Sequence, residues 1–249
     1  MGLIRNLFRS ILPVPVRRWY IRNFRYPYAG RLNFGSLRRT EPISRVWGLD
    51  RGLPVDRYYI EKFLSKHSAD IHGHVLEIGN NEYTVRYGGA NLQQSDILHV
   101  SEEDPHATII GDLTNADHIP SNTFTCIICT QTLHLIYDMD AAIRTLCRIL
   151  EPGGVLLATF PGISQISRYD MDRWGDYWRL TSASARRLFE NRFIDADPLN
   201  VEVFGNALSA IAFLQGISSN ELKVHEMDAH DPDYQLLIAV RLCKPQVSR

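Results

Sequence analysis

His74–Gly89 reads HVLEIGNNEYTVRYGG, and the fold turns on how this stretch is read. Its first half is a run of strand-forming residues closed by Gly79, with the acid Glu77 two positions earlier, which is how a nucleotide-binding strand and turn begin. The second half departs from that pattern. Asn80 and Asn81 stand where a phosphate-cradling loop carries further glycine. A bulky pyrophosphate needs close backbone approach and donors from a helix start, so the loop argues against a nicotinamide dinucleotide. A ligand without phosphate is still admitted, because asparagine tolerates left-handed backbone and can pair with charged groups.

Working outward, the chain alternates helical and strand periods. A helix is expected from about Asp56 to His67, with Tyr59, Ile60, Phe63 and Leu64 on one side. HVLEIG is the first strand and YTVRYGG a short helical or irregular segment. QQSDILHV, ATIIGD and TFTCIICTQ are the next three strands, the last apolar enough for burial on both faces. DMDAAIRTLCRIL is an amphipathic helix started by Asp138 or Asp140 and ended by Pro152-Gly153-Gly154, with VLLATFP as the fifth strand. Residues from about 161 to 180, rich in Tyr, Trp, Asp and Arg, lack a clean period and read as a lid over the carboxyl ends of the strands. SASARRLFENRF is then a helix capped by Thr181 or Ser182. NVEVFGN is a strand, ALSAIAFLQG a helix and YQLLIAVRLC the final strand. This order predicts an α/β, Rossmann-like, doubly wound sheet.

With 249 residues, 45% of them apolar and 22% charged, one large α/β domain is expected over residues 49–249. No run of 18 apolar residues spans a membrane, and arginines interrupt the N-terminal apolar stretch where a secretory signal would need continuity. Cys126 and Cys129 lie three apart on a strand, so they point to opposite faces and share no metal. With Cys147 and Cys243 they read as small apolar residues in a reducing cytoplasm.

The net charge of −1 conceals a division. Residues 1–40 hold nine arginines and no acid, leaving 18 basic and 28 acidic side chains, or −10, for the rest. Residues 1–48 therefore read as a separate basic arm. In LIRNLFRSIL the apolar residues share one helical face, and Pro13 is expected to end the helix. Such an arm docks on its own domain or lies peripherally on an anionic membrane, here at the inner face. RRWYIRNFRYPY interleaves arginine with aromatics as nucleic-acid binders do, but no recognition motif accompanies it and the body is acidic, so nucleic acid is disfavoured.

In open α/β sheets ligands bind outside the carboxyl ends of the strands. The residues expected there are Glu77, Gly79, Asp96, Gly111, Asp112, Thr130 and Gln131. Asp96 lies 19 residues after Glu77, near the spacing at which an acid meets a ribose diol.

These residues resemble a family. VLEIG, GDLTNADHIPSNTFTCIICTQTLHLI and RILEPGGVLLATFPG look like class I S-adenosylmethionine-dependent methyltransferases of the type 11 group, over residues 75–161. DRWGDYWRLT and the helix after it are similar to methyltransferases encoded beside glycosyltransferases in polysaccharide or glycolipid pathways. The resemblance implies a seven-stranded sheet with its last strand antiparallel and S-adenosyl-L-methionine as cofactor. Glu77, Gly79 and Asn80 would shape the methionine-side loop. Asp96 with Ile97 would hold the ribose, Gly111, Asp112 and Leu113 would frame the adenine, and Cys129 and Thr130 would pass beneath the methionine. Thr125 stands where the family carries aspartate and Glu151 where it carries lysine.

Methyl transfer to a hydroxyl needs positioning and a base. His134, just after the fourth strand, is the first candidate; Tyr169, Asp170 and Asp172 of the lid are its rivals. Arg51 or Tyr58 is expected near the cofactor carboxylate, and Trp174, Tyr177 and Trp178 either stack on a sugar ring or pin the lid. The expected activity is O-methylation of a sugar or glycosylated small molecule. A non-catalytic binding protein on the same fold is the alternative.

Overall fold

The computed structural model describes residues 13–24, 26–102, 104–191 and 199–246. The chain divides into two compact units, Met1–Glu41 and Pro42–Arg249. In the first, helix α1 (Val14–Phe24) buries none of its residues. Trp19, Tyr20, Ile21 and Phe24 are all exposed, with Trp19 and Tyr20 packed on Phe24 at centroid distances of 5.3 and 5.5 Å. Pro13 precedes this helix instead of only ending one, because proline lacks the N–H that a first turn leaves unpaired anyway. The helix expected over residues 3–12 lies outside the described residues. Among those described, no helix is long and apolar enough to cross a membrane.

The second unit begins at Pro42, ahead of the expected boundary at residue 49. Residues 42–48 already belong to it, since the Ile43 and Ser44 amides donate to Gln215 O at 2.8 and 3.1 Å. Its sheet contains β1 (Gly73–Ile78), β2 (Leu92–His99), β3 (Ile109–Ile110), β4 (Phe124–Thr130), β5 (Leu150–Pro161), β6 (Asn200–Phe204) and β7 (Leu237–Cys243). The order across it is β3-β2-β1-β4-β5-β7-β6, with β7 antiparallel to both neighbours and the remaining pairs parallel. This is the seven-stranded Rossmann-like sheet with its last strand antiparallel.

The helices of this unit are α2 (Val55–Lys66), α3 (Glu82–Tyr87), α4 (Met139–Ile149), α5 (Arg168–Met171), α6 (Ser182–Glu190), α7 (Ala207–Gln215) and α8 (Val224–Asp228). Strand alternation sends neighbours to opposite faces. Leu76, Ile127 and Leu156 join Leu146 of α4 and Phe189 of α6 in one core. Val75, Ile128 and Leu157 join Phe63 of α2 and Phe213 of α7 in the other. Cys126 and Cys129 fall in different cores for the same reason.

Local chemistry sets the boundaries. Asp138 Oδ1 accepts the Ala141 amide at 2.9 Å to start α4, and a Thr181–Ser184 capping box starts α6. β5 begins earlier than expected. Phe124 already pairs with Leu150, the next partners being Cys126 and Val155, so residues 151–154 bulge from the strand. Thr125 also finds its reason here: its hydroxyl lies 2.5 Å from His72 O and 2.9 Å from His74 O, fastening the start of β1.

Candidate active site

At the carboxyl edge of the sheet β1 turns at Gly79, whose φ of 91° suits glycine, and a Cβ built there would meet open space. Gly79 N donates to Leu98 O at 2.9 Å. Two cavities open along this edge, of about 710 and about 310 Å³, and share Ile78 and Leu135 in their walls.

The larger cavity lies over the ends of β1, β2 and β3. Gly79, Gly111, Asp112 and Leu113 line it as expected, with Leu98, His99 and the lid residues Trp174 and Tyr177. Asp112 is exposed and accepts the Thr114 amide at 2.8 Å. Three expected cofactor residues stand elsewhere. Asp96 pairs in register with Leu76, below the strand end, and its carboxylate is held by His74 at 2.5 Å and Gln94 at 2.9 Å. Its neighbour Ile97 is buried against the opposite side of the strand and lines neither cavity. Glu77 is buried and turned to α3, accepting from Tyr83 N (3.3 Å), Thr84 N (2.7 Å) and Thr84 Oγ1 (2.8 Å). Burial raises its carboxyl pKa, against the lowering effect of these three donors. Glu77 therefore shapes the loop from behind and does not reach into the cavity.

The smaller cavity lies over β4 and β5 beneath the lid. Asn80, Thr130, His134 and Asp170 line it as expected, together with Gln131, Ser164 and Gln165. Cys129 is fully buried in the core one residue before Thr130 and does not reach it. Tyr169 is exposed, its ring covered by the Arg173 guanidinium at 3.6 Å, and lines neither cavity. Arg51 and Tyr58 are engaged by Glu221 and Asp228. In their place the same segment contributes Trp47, Leu49, Asp56 and Arg57, none of which carries a sequence signal of its own. Arg57 Nη1 donates to Tyr83 Oη at 2.8 Å, and burial raises the Asp56 carboxyl pKa in spite of the Arg57 charge.

His134 is the best-defined group of this cavity. It is buried, and burial lowers its pKa to about 4, with nearby Arg179 in the same direction and Asp176 opposing. Its Nε2 lies 3.9 Å from Asp176 Oδ1, and its Nδ1 has no hydrogen-bond partner among the described residues. Asp176 is itself buried, which disfavours its charge. The Arg179 fork at 2.5 and 2.8 Å and the Ser167 amide at 2.9 Å outweigh that and hold its carboxyl below the usual range. The result is a neutral imidazole beside a compensated carboxylate, with one ring nitrogen unspent.

The lid is tied to this site by its aromatic end. Tyr177 N and Trp178 N lie 3.1 and 3.2 Å from His134 O, and Trp178 Nε1 donates to Ile136 O at 3.1 Å. Tyr137 packs on both Tyr177 and Trp178. At the other end Gln235 holds both limbs: its carbonyl accepts the Ile163 amide at 3.0 Å and its Oε1 the Ser182 amide at 2.7 Å.

The methyltransferase-domain family matches residues 64–158. Over 73 residues the chain is 36% identical to the ubiquinone/menaquinone biosynthesis C-methyltransferase UbiE of Haemophilus ducreyi, a match covering 24% of this chain and 28% of that protein. The chain thus spans just over a quarter of the length of the curated relative it matches. Among solved structures it is similar to a SAM dependent methyltransferase from Archaeoglobus fulgidus, with a TM-score of 0.50, 12% identity, and coverage of 75% of this chain and 98% of that one. A possible exported protein from Bordetella parapertussis has a TM-score of 0.50 at 13% identity, covering 79% and 71%. At these identities the structural likenesses speak to the fold.

Proposed function

We propose that this chain, whose residues 64–158 match the methyltransferase-domain family, is an S-adenosylmethionine-dependent methyltransferase acting on a hydroxyl of a sugar or glycosylated small molecule. The observation that carries the reading is the pair of adjoining cavities at the sheet's carboxyl edge, which share Ile78 and Leu135 in their walls. One has the size and glycine-lined turn for an adenosyl group; the other is polar and holds a neutral histidine. The residues present fit the cofactor: Gly79 leaves open space at the turn, and the larger cavity lies within the range of small-molecule sites.

Bound there, the cofactor supplies an electrophilic methyl group. Asp112 and Leu113 would frame its adenine, and Arg57 and Asn80 would meet the charged ends of its methionine. Gln131, Gln165 and Asp170 offer the hydrogen bonds that orient a polyhydroxylated acceptor, and orientation alone supplies orders of magnitude in rate. His134, a neutral imidazole in the wall of this cavity, takes the acceptor's hydroxyl proton. Asp176 and Arg179 keep the ring in place without drawing it into a fixed ion pair.

Calorimetry on the full chain tests the cofactor assignment. S-adenosylhomocysteine is expected to give saturable heat and NAD none; the reverse would replace the reading with a nicotinamide enzyme. Isotope-labelled methyl transfer to sugar acceptors, with the product examined by NMR, tests the rest, an O-methyl ether being expected. Binding without turnover on any acceptor would favour the second reading, a non-catalytic binding protein, for which the Asn80–Asn81 loop speaks.

We further propose that residues 1–40 place the enzyme at an anionic membrane surface. The exposed aromatic and aliphatic residues of α1, amid arginines and no acid, support this.

A further inference from the structure

The smaller cavity is built from two kinds of chain. From residues 164–179 only polar side chains line it, Gln165 and Asp170 among them, and the end of β4 adds Gln131 and His134. From residues 47–54 only apolar ones do, namely Trp47, Leu49 and Pro54, and the last turn of α7 adds Phe213. A bare sugar would satisfy the first group and leave the second facing water.

Trp47 is held in this wall at a cost. Its φ of 56° is a left-handed backbone that a bulky residue rarely adopts, and such strain persists only where the surroundings over-determine it. Ser44 Oγ accepts the Val46 and Gly48 amides, both at 3.2 Å, and donates to Asp50 Oδ1 at 2.6 Å. Gly48, with a φ of 86°, lies so close to the end of α7 that a Cβ there would meet Gly216 O at 2.9 Å.

The apolar wall continues onto the surface. Leu49 lines the cavity and is still 63% exposed. Val46 is exposed as well, and the bonds from the Ile43 and Ser44 amides to Gln215 O bring this stretch alongside exposed Leu214. Gln165 Nε2 donates to Arg45 O at 2.9 Å, which sets exposed Ile166 beside the same stretch. Single exposed apolar residues are ordinary. Val46, Leu49, Ile166 and Leu214 come from three neighbouring segments and run out of a cavity wall, which is how a binding patch differs from scatter.

We propose that the acceptor is amphiphilic: its sugar occupies the polar part of the smaller cavity, and a hydrocarbon chain attached to that sugar leaves over Trp47 and Leu49 onto Val46, Ile166 and Leu214. The proposal rests on the sugar-acceptor reading above and adds the chemistry of the group that carries the sugar. A fully buried methylene is worth about fourfold in affinity, and one lying half covered on an open surface roughly twofold.

The test is calorimetry of the full chain with methyl, hexyl and octyl β-D-glucoside below their micelle concentrations, with and without S-adenosylhomocysteine. Octyl glucoside is expected to bind about 100-fold more tightly than methyl glucoside. In Leu49→Gln octyl glucoside weakens about fivefold and methyl glucoside less than twofold. Val46→Gln, a second surface change, gives the same pattern should the first variant fail to fold. Val85→Gln, at an exposed position of α3, leaves the series unchanged. The proposal is overturned if the gain with chain length is undiminished in both band variants, or if affinities are equal or undetectable across the series. Phosphatidylcholine vesicles without glycoside are expected not to bind through this patch; binding that Leu49→Gln abolishes would assign it to a bilayer and overturn the proposal too. No heat with S-adenosylhomocysteine sinks the cofactor reading, whereas a flat glucoside series removes only the hydrocarbon chain.

Discussion

His134 is neutral throughout the range in which most enzymes work, because burial puts its pKa at about 4. A base of that kind leaves turnover flat from about pH 6 to pH 8 and lets it fall only in acid, whereas an exposed histidine would lose activity below about pH 6.5. His134→Ala is expected to lower kcat by roughly 10²–10⁴-fold and to leave S-adenosylhomocysteine affinity nearly unchanged. Stability follows the same group. The unfolded chain protonates this histidine near its ordinary 6.5 and the folded chain near 4, so stability is full above that window and is lost as pH falls through it. The full loss is on the order of 3 kcal/mol, of which urea unfolding compared at neutral pH and near pH 5 is expected to register about 2 kcal/mol. Histidine 134 was legible because it directly follows a strand that had to be central. Asp96 misled because its distance from Glu77 counts residues, while the level at which β2 meets the cavity is fixed by its pairing with β1. Asp176 and Arg179 stand within DRWGDYWRLT but were not singled out there, since only tertiary packing brings them beside His134, and Asp56 carried no signal of its own.

Elements were read more surely than residues, because apolar periodicity reports directly on which side of a helix or strand is buried. The helix after Pro54 and the central strands follow that rule. Two exceptions have physical causes. Proline both ends and begins helices, so Pro13 concealed α1, and the bulge at residues 151–154 allowed β5 to start inside what reads as a turn. Glu77 marks where element and site were confused, an acid next to the binding turn whose partners are the first amides of α3. Glu77→Ala leaves those two amides and the Thr84 hydroxyl unpaired in a buried place. It is expected to cost about 2–4 kcal/mol in chemical unfolding and to weaken cofactor binding only through a loosened loop. Equal stability with lost binding would show instead that the carboxylate faces the ligand.

At the scale of the whole molecule the sequence pattern specified a doubly wound sheet, the antiparallel last strand came only from the family resemblance, and its insertion between β5 and β6 was not foreseen, because local pattern does not encode strand order. The charge division was open to counting. If residues 1–40 serve a membrane, the full chain floats with vesicles containing phosphatidylserine and not with phosphatidylcholine alone, and salt releases it. Retained flotation after removal of residues 1–41 would move the contact to the acidic body. Gln235, at the approach to β7, has one more implication. With a single residue gripping the two limbs of a long excursion, the ends of that excursion are already together before any guest arrives. The entropic toll of closing the loop falls on folding, and an acceptor entering the polar chamber meets a standing wall, so little of its affinity is lost to ordering one.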